Sequence, residues 1–211
     1  QLFRQTTGPD LFAEIEIEIG PADKAFLNSP EYKNGLRRLQ FVDDTRDAVL
    51  SREFIASVEK GFKSVMNNGI LAGNSLQQMK VRLLDGLTHA TASNALAFEM
   101  AAVAAYRAAA PLAGPRLLEP LMKVEVYTPN EYLGSIVGDL NRRRALIKGQ
   151  ELRRDQVVVK ADVPLSEMFG YVSKLRALSS GRASFNMHFW QYAPVPDYIA
   201  KDILQNEYSS Y

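Results

Sequence analysis

The chain has 211 residues, 46% hydrophobic and 23% charged, with 25 Lys and Arg against 24 Asp and Glu and a formal net charge of +1. That composition excludes a disordered or fibrous protein and suits one large domain or two small ones. There is no cysteine, and the histidines are His89 and His188, which excludes disulfides, thiolate chemistry and a multi-histidine metal centre. No apolar run approaches the roughly 18 residues of a membrane span, so the chain reads as soluble and suited to the cytoplasm. It opens on Gln1 without a leader pattern and reads as a segment of something longer. A Pro- and Gly-containing stretch, APLAGPRLLEP at 110–120, divides it into 1–117 and 118–211, and basic and acidic side chains nearly balance in each half.

In the first half, FAEIEIEI at 12–19 alternates Ile15, Ile17 and Ile19 with Glu14, Glu16 and Glu18, a period of two that marks a strand with one wet face. The polar stretch 20–35, punctuated by Pro21 and Pro30, reads as a surface loop before a strand near 36–43. Ser51 is placed to cap a helix in which Phe54, Ile55, Val58, Phe62, Val65 and Met66 recur at helical spacing, stopped by Asn67, Asn68 and Gly69. A strand at 78–84, a turn at Asp85 and Gly86, and a polar run holding His89 lead to Ser93, the expected cap of an Ala-rich helix at 94–109. His89 therefore belongs to a strand-to-helix loop.

In the second half, 121–127 alternates as a strand, and TPNE reads as a capping box with Thr128 as cap, Pro129 at the first helical position and Glu131 reaching back. Tyr132, Leu133, Ile136, Val137 and Leu140 make one apolar stripe, and 141–144 end the helix in a cationic turn that suits its dipole. Strands follow at 145–153 and 156–163, then a helix at 165–178 with Met168, Tyr171, Val172 and Leu175 inward. A last strand at 183–192 sets Phe185, Met187 and Phe189 against Asn186, His188 and Trp190. The order is βαββαβ, a ferredoxin-like arrangement, with a short C-terminal helix after Pro194.

Little in this pattern is catalytic. No GxxxxGK[ST] phosphate loop occurs, so the chain by itself is not expected to hydrolyse nucleotides, and no set of acid, base and nucleophile converges. The glutamate row reads as a solvated strand face. Arg142, Arg143 and Arg144 read either as a solvated helix end or as an RNA phosphate contact; Arg153 and Arg154 are hairpin-turn charges.

Two long stretches carry more than composition: LLEPLMKVEVYTPNEYLGSIVGDLNRRRALIKG at 117–149 and VPLSEMFGYVSKLRALSSGRASFNMHFWQYAPVP at 163–196. Weaker ones are RQTTG near the start, SREFIASVEKGFKSVMNNGILAG at 51–73 and MKVRLLDGLTHATAS at 79–93. In order and spacing they resemble the fourth and fifth domains of the elongation factor G family of translational GTPases. The resemblance implies an α+β fold of two domains. Residues 1–117 would be a ribosomal-protein-like α/β domain with a left-handed βαβ crossover, an exception to the usual handedness, and 118–211 a ferredoxin-like domain with a C-terminal helix. It also implies a monomeric, cytoplasmic parent that binds the ribosome, with GTP and Mg2+ held in an N-terminal domain several hundred residues upstream and no cofactor in this segment.

In the family, the tip of the fourth domain enters the small-subunit decoding site as tRNA and mRNA advance, and the fifth domain contacts large-subunit RNA. Carried over by position, the tip loops fall at 5–11 and 86–93. They bring forward Thr6, Thr7, Gly8, Pro9, Asp10, Leu87, Thr88 and His89 as RNA-contacting residues, His89 matching the tip histidine, and Arg142, Arg143 and Arg144 as contacts to large-subunit RNA. The tips also depart from the family. TTGPDLFAE stands where a glycine-rich loop is usual, and Ala90 and Ala92 replace acidic residues after the histidine, which points to a specialised paralog. The alternatives are a ribosome recycling or ribosome-protection factor of the same family, and a free-standing RNA-binding or interaction module without catalysis.

Overall fold

The computed structural model describes residues 2–6, 11–46, 49–71, 73–153 and 155–208, and it shows the expected α+β organisation. The chain divides into two compact units, Gln1–Pro115 with Ile203–Tyr211, and Arg116–Asp202.

The first unit contains β1 (Leu2–Thr6), β2 (Glu14–Pro21), the short helices α1 (Lys24–Leu27) and α2 (Pro30–Lys33), β3 (Leu39–Asp43), α3 (Arg52–Val65), β4 (Met79–Leu87) and α4 (Ala95–Ala109). Its sheet runs β1-β2-β4-β3. β2 is antiparallel to both neighbours, and β3 is parallel to β4, with α3 as the crossover between them. The alternation along β2 does what it promised: Ile15 and Ile17 are fully buried against Val58, Phe62, Val81, Leu83 and Phe98, each such side chain contributing about 1.5–3 kcal/mol. On the wet face Glu18 pairs with Arg82 at 2.5 Å, and Arg82 also reaches Asp44 at 2.6 Å. The glutamate row is thus part of an exposed cross-strand charge ladder.

Three expectations in this unit are corrected. The stretch 20–35 is not all loop. It holds α1 and α2, the second capped by Ser29, whose Oγ accepts from the Tyr32 N–H at 3.3 Å, with Pro30 at the first helical position; single turns are too short to show periodicity. Asp85 and Gly86 do not turn the chain. β4 continues through them to Leu87 after a bulge at Leu84, where Glu16 pairs with Asp85 but Ile17 with Leu83. A bulge lets the inward side fall to Gly86, where a Cβ would sit 2.7 Å from Leu50 Cδ1 and 3.0 Å from the Glu14 carbonyl oxygen. Finally, Asn94 rather than Ser93 caps α4, its side chain accepting from the Ala97 N–H at 2.9 Å.

α4 presents Ala97, Ala101, Ala102, Ala105 and Ala109, all buried, to the core. Small side chains there let α3 approach so closely that a Cβ on Gly61 would lie 2.6 Å from the Glu99 carbonyl oxygen and 2.7 Å from Ala102 Cβ.

The second unit contains β5 (Leu118–Thr128), α5 (Leu133–Arg142), β6 (Leu146–Arg153), β7 (Gln156–Pro164), α6 (Tyr171–Ser179) and β8 (Ser184–Pro194), and α7 (Asp197–Tyr208) follows. The sheet order β6-β7-β5-β8, antiparallel throughout, is the ferredoxin-like one. Val124, Val126, Val159, Ala161 and Val163 from the sheet pack against Ile136, Leu140, Tyr171 and Leu175. A bulge opposite Leu121 and Met122 leaves Trp190 as the unpaired residue of β8, with Lys123 Nζ 4.9 Å and Lys148 Nζ 6.0 Å from its ring centre.

Here too local motifs gave way to packing. TPNE forms no capping box: Thr128 closes β5, fully buried, and its hydroxyl donates to the Pro129 carbonyl at 3.2 Å. A 3-10 turn at Asn130–Tyr132 intervenes, and Glu131 instead pairs with Arg182 at 2.6 Å. The helix expected at 165–178 is split into a 3-10 turn, Leu165–Met168, and α6, divided at Gly170 with φ +71°; Val172 consequently faces outward. Met187 and Phe189, which alternation sets opposite His188 and Trp190, are exposed as those two are, on the edge strand β8.

The α3–α4 contact makes a direct prediction. Gly61→Ala should lower unfolding free energy by about 2 kcal/mol through overpacking. Gly134→Ala in α5, where a Cβ meets nothing within 4 Å, should raise it by about 0.5 kcal/mol. Urea denaturation of the two variants checks both.

Candidate nucleic-acid interface

β2 is bonded on both sides, and its first residue, Glu14, pairs with Thr6 of β1 and with Leu87 of β4. Both connecting loops, 7–13 and 88–94, therefore leave the sheet at the same end. Thr6 and Leu87 are corrected from loop residues to the strand ends at the loops' roots. Thr7, Gly8, Pro9 and Asp10 lie outside the described residues. Leu87, Thr88 and His89 are exposed at this end, followed by Ala90 and Thr91, also exposed.

The described part of the first loop and the second loop are stitched together. The Phe12 N–H donates to the Ala92 carbonyl at 2.8 Å. The Ser93 hydroxyl donates to the Phe12 carbonyl at 2.6 Å and accepts from the His89 N–H at 2.7 Å. The Ser93 N–H returns to the His89 carbonyl at 3.1 Å. The Phe12 ring meets the His89 ring edge-on, centroids 6.2 Å apart at 62°. At Nδ1, His89 faces the Thr91 N–H at 3.5 Å and the Thr91 hydroxyl at 3.3 Å. A backbone N–H only donates, so Nδ1 is the acceptor and Nε2 carries the proton of the neutral ring, an assignment made from this pattern.

Chemically, the second loop offers uncharged donors, a histidine ring and small side chains. It has no cation to grip phosphate. Such a surface touches RNA through shape and hydrogen bonds and releases it readily. Phe12 was not read from sequence as part of the tip, and Ser93, the last residue of the second tip loop at 86–93, was read there only as a helix cap. The two lie 81 residues apart.

The arginine turn is different. Arg142 is exposed, and among the described residues it has no ion pair. The other two are corrected from an open cationic turn to internal ties. Arg143 Nε donates to the buried Asp139 at 2.8 Å, its Nη1 donates to the Glu167 carbonyl, and its guanidinium stacks on Tyr171 at 4.9 Å. Arg144 grips Glu119 with both Nη atoms, at 2.7 and 2.8 Å, and Glu167 through Nε at 2.9 Å. The hydrogen bonds it donates to Glu119 lead in holding the Arg144 guanidinium above its ordinary range, and burial, joined by the Asp139 charge, pushes the Tyr171 hydroxyl up. Glu119 and Glu167 lie 25 and 23 residues from Arg144, so no local spacing announced them.

Arg144 also adopts a left-handed backbone, φ +56°. Arg144→Ala should therefore destabilise the unit by about 2 kcal/mol, having stranded Glu119 and kept the strain. Arg144→Gly should cost about 1 kcal/mol less. Thermal melts of the two variants give the comparison.

The comparisons with known proteins accord with this geometry. Residues 1–114 match the family profile "Elongation factor G, domain IV", and 116–203 match "Elongation factor G C-terminus". Elongation factor G 2 of Vibrio vulnificus is 52% identical over 201 residues and that of Vibrio cholerae 45%, each covering 95% of this chain and 27% of the relative. Elongation factor G 1 of Methylococcus capsulatus is 44% identical over 204 residues, 96% of this chain and 28% of the relative. A crystal structure of a Thermus thermophilus protein superposes with a TM-score of 0.81 at 28% identity, covering 99% of this chain and 30% of that one. The chain thus spans a little over a quarter of the curated relatives' length, and it belongs to the elongation factor G family, of which it carries domain IV and the C-terminus.

Proposed function

We propose that this chain is the ribosome-contacting end of a translation elongation factor G, with the loops at 7–13 and 88–94 entering the small-subunit decoding site to promote movement of tRNA and mRNA. The observation that carries the reading is that the strands leading into both loops end on the same end of the sheet, with His89 exposed in the second loop. On this reading the tip acts by steric and hydrogen-bonding contact, and the His89 Nε2–H is offered to RNA oxygens or base acceptors. The chain has no phosphate-loop motif, and among the described residues no cluster suits a metal ion. On this reading GTP and Mg2+ belong to a domain of the parent outside this chain. The two units serve as domain IV and the ferredoxin-like domain V, the second touching large-subunit RNA.

For that second contact, the internal ties of Arg143 and Arg144 narrow the cationic candidate to Arg142. Counterion release ties each phosphate contact to a salt slope. Arg142→Ala in the full-length factor should reduce the slope of log affinity for ribosomes against log salt by about 0.7 to 0.9. An unchanged slope returns Arg142 to an ordinary solvated helix end.

His89→Ala in the full-length factor should slow single-round translocation about ten-fold, equivalent to about 1.4 kcal/mol of barrier, in a fluorescence assay with pre-translocation ribosomes. A rate equal to that of the unaltered protein would remove His89 from the mechanism. Replacing residues 6–11 by a glycine-rich loop tests whether the altered first tip is specialised: a faster variant marks a specialised paralog, an equal one tolerated variation.

A further inference from the structure

We propose that Ser93 and Phe12 are positioning residues for His89, seating its ring so that Nδ1 meets the Thr91 N–H and hydroxyl, the contact that decides which nitrogen carries the proton. The inference deepens the decoding-site reading and rests on it.

Ser93 holds the backbone of His89 at both of its polar groups: its hydroxyl accepts from the His89 N–H at 2.7 Å, and its own N–H donates to the His89 carbonyl at 3.1 Å. The direction of the remaining bond is forced. A carbonyl cannot donate, so the single hydroxyl proton goes to the Phe12 oxygen at 2.6 Å. The result is a continuous N–H···O–H···O=C chain from one loop to the other, in which each bond polarises the next. Only a hydroxyl at 93 can complete it.

The ring is then held from two sides. Phe12 covers it edge to face, an orientation that suits the quadrupoles of the two rings. Thr91 occupies Nδ1 with its N–H and hydroxyl. What remains without a partner on this ring, among the described residues, is the Nε2–H donor. Ordering this donor before RNA arrives spares the encounter the entropy of fixing two side-chain torsions. Ser93 and Phe12 thus act on the ribosome only through His89.

The test uses two readouts. The chain has two histidines, so imidazole 15N spectra of the labelled chain contain His89 with His188 as internal reference. Ser93→Ala should turn His89 from one Nε2–H tautomer into a mixture, and in the full-length factor it should slow translocation about five-fold. Ser93→Thr, which keeps the hydroxyl, should restore both. Phe12→Leu should slow translocation and shift the His89 ring signals, and Phe12→Tyr should reverse both effects. His188 lies in the second unit, so unchanged amide signals of Ile15, Ile17 and Val81 in the core of the first unit are what separate a local effect from unfolding. The proposal is overturned if Ser93→Ala leaves the His89 spectrum unchanged, if threonine fails to rescue, or if Ser93→Ala translocates normally while His89→Ala does not. If His89→Ala itself translocates normally, the decoding-site reading fails, and the spectrum alone still decides whether Ser93 orders the ring.

Discussion

The pairing of β2 on both of its edges is the constraint from which the rest of the first unit follows. Because Glu14 is bonded to Thr6 on one side and to Leu87 on the other, the loops on either side of β2's start and β4's end have no choice but to emerge together. The pairing is in turn fixed by Ile15, Ile17 and Ile19, since a slip of one residue would turn all three into water and bury the glutamates. An alternating apolar and acidic pattern, repeated over eight residues, thereby sets where two loops far apart in sequence leave the sheet.

The second unit applies the opposite economy to charge. GDLNRRR looks like a cationic tip, yet Arg143 and Arg144 face inward onto Asp139, Glu119 and Glu167. An arginine fork satisfied on both prongs by one carboxylate gains geometry as well as energy, which is how the end of α5 is locked against the first strand and the 3-10 turn before α6. The end of α5 is thereby tied to β5 and to the 3-10 turn through arginine side chains.

Repeating patterns were legible in the sequence, and long-range partnerships were not. The Ile and Glu alternation, the α3 stripe from Phe54 to Met66 and the βαββαβ order all announce themselves within a few residues, because each is a local consequence of backbone period. Gly86 was misread as a turn because glycine in a turn and glycine at a bulge look alike without the neighbouring strand. Thr128 and Glu131 matched a capping box in spacing, but burial of Thr128 and the charge on Arg182 outweighed it. The site divides in the same way. His89 was legible as a loop residue and by family likeness, whereas Phe12 and Ser93 acquire meaning only through contacts made across the fold.

The bulge at Trp190 has one more consequence. β8 is a long edge strand with Met187 and Phe189 exposed, the kind of border on which a second molecule can template itself into a continuous sheet. Interrupting the ladder there splits the free border into two shorter runs, 184–189 and 191–194, and twists them out of line with each other. Lys123 and Lys148 set two positive charges beside the unpaired indole. An irregularity that contributes nothing to the core thus shortens the straight run of edge on which such pairing could form.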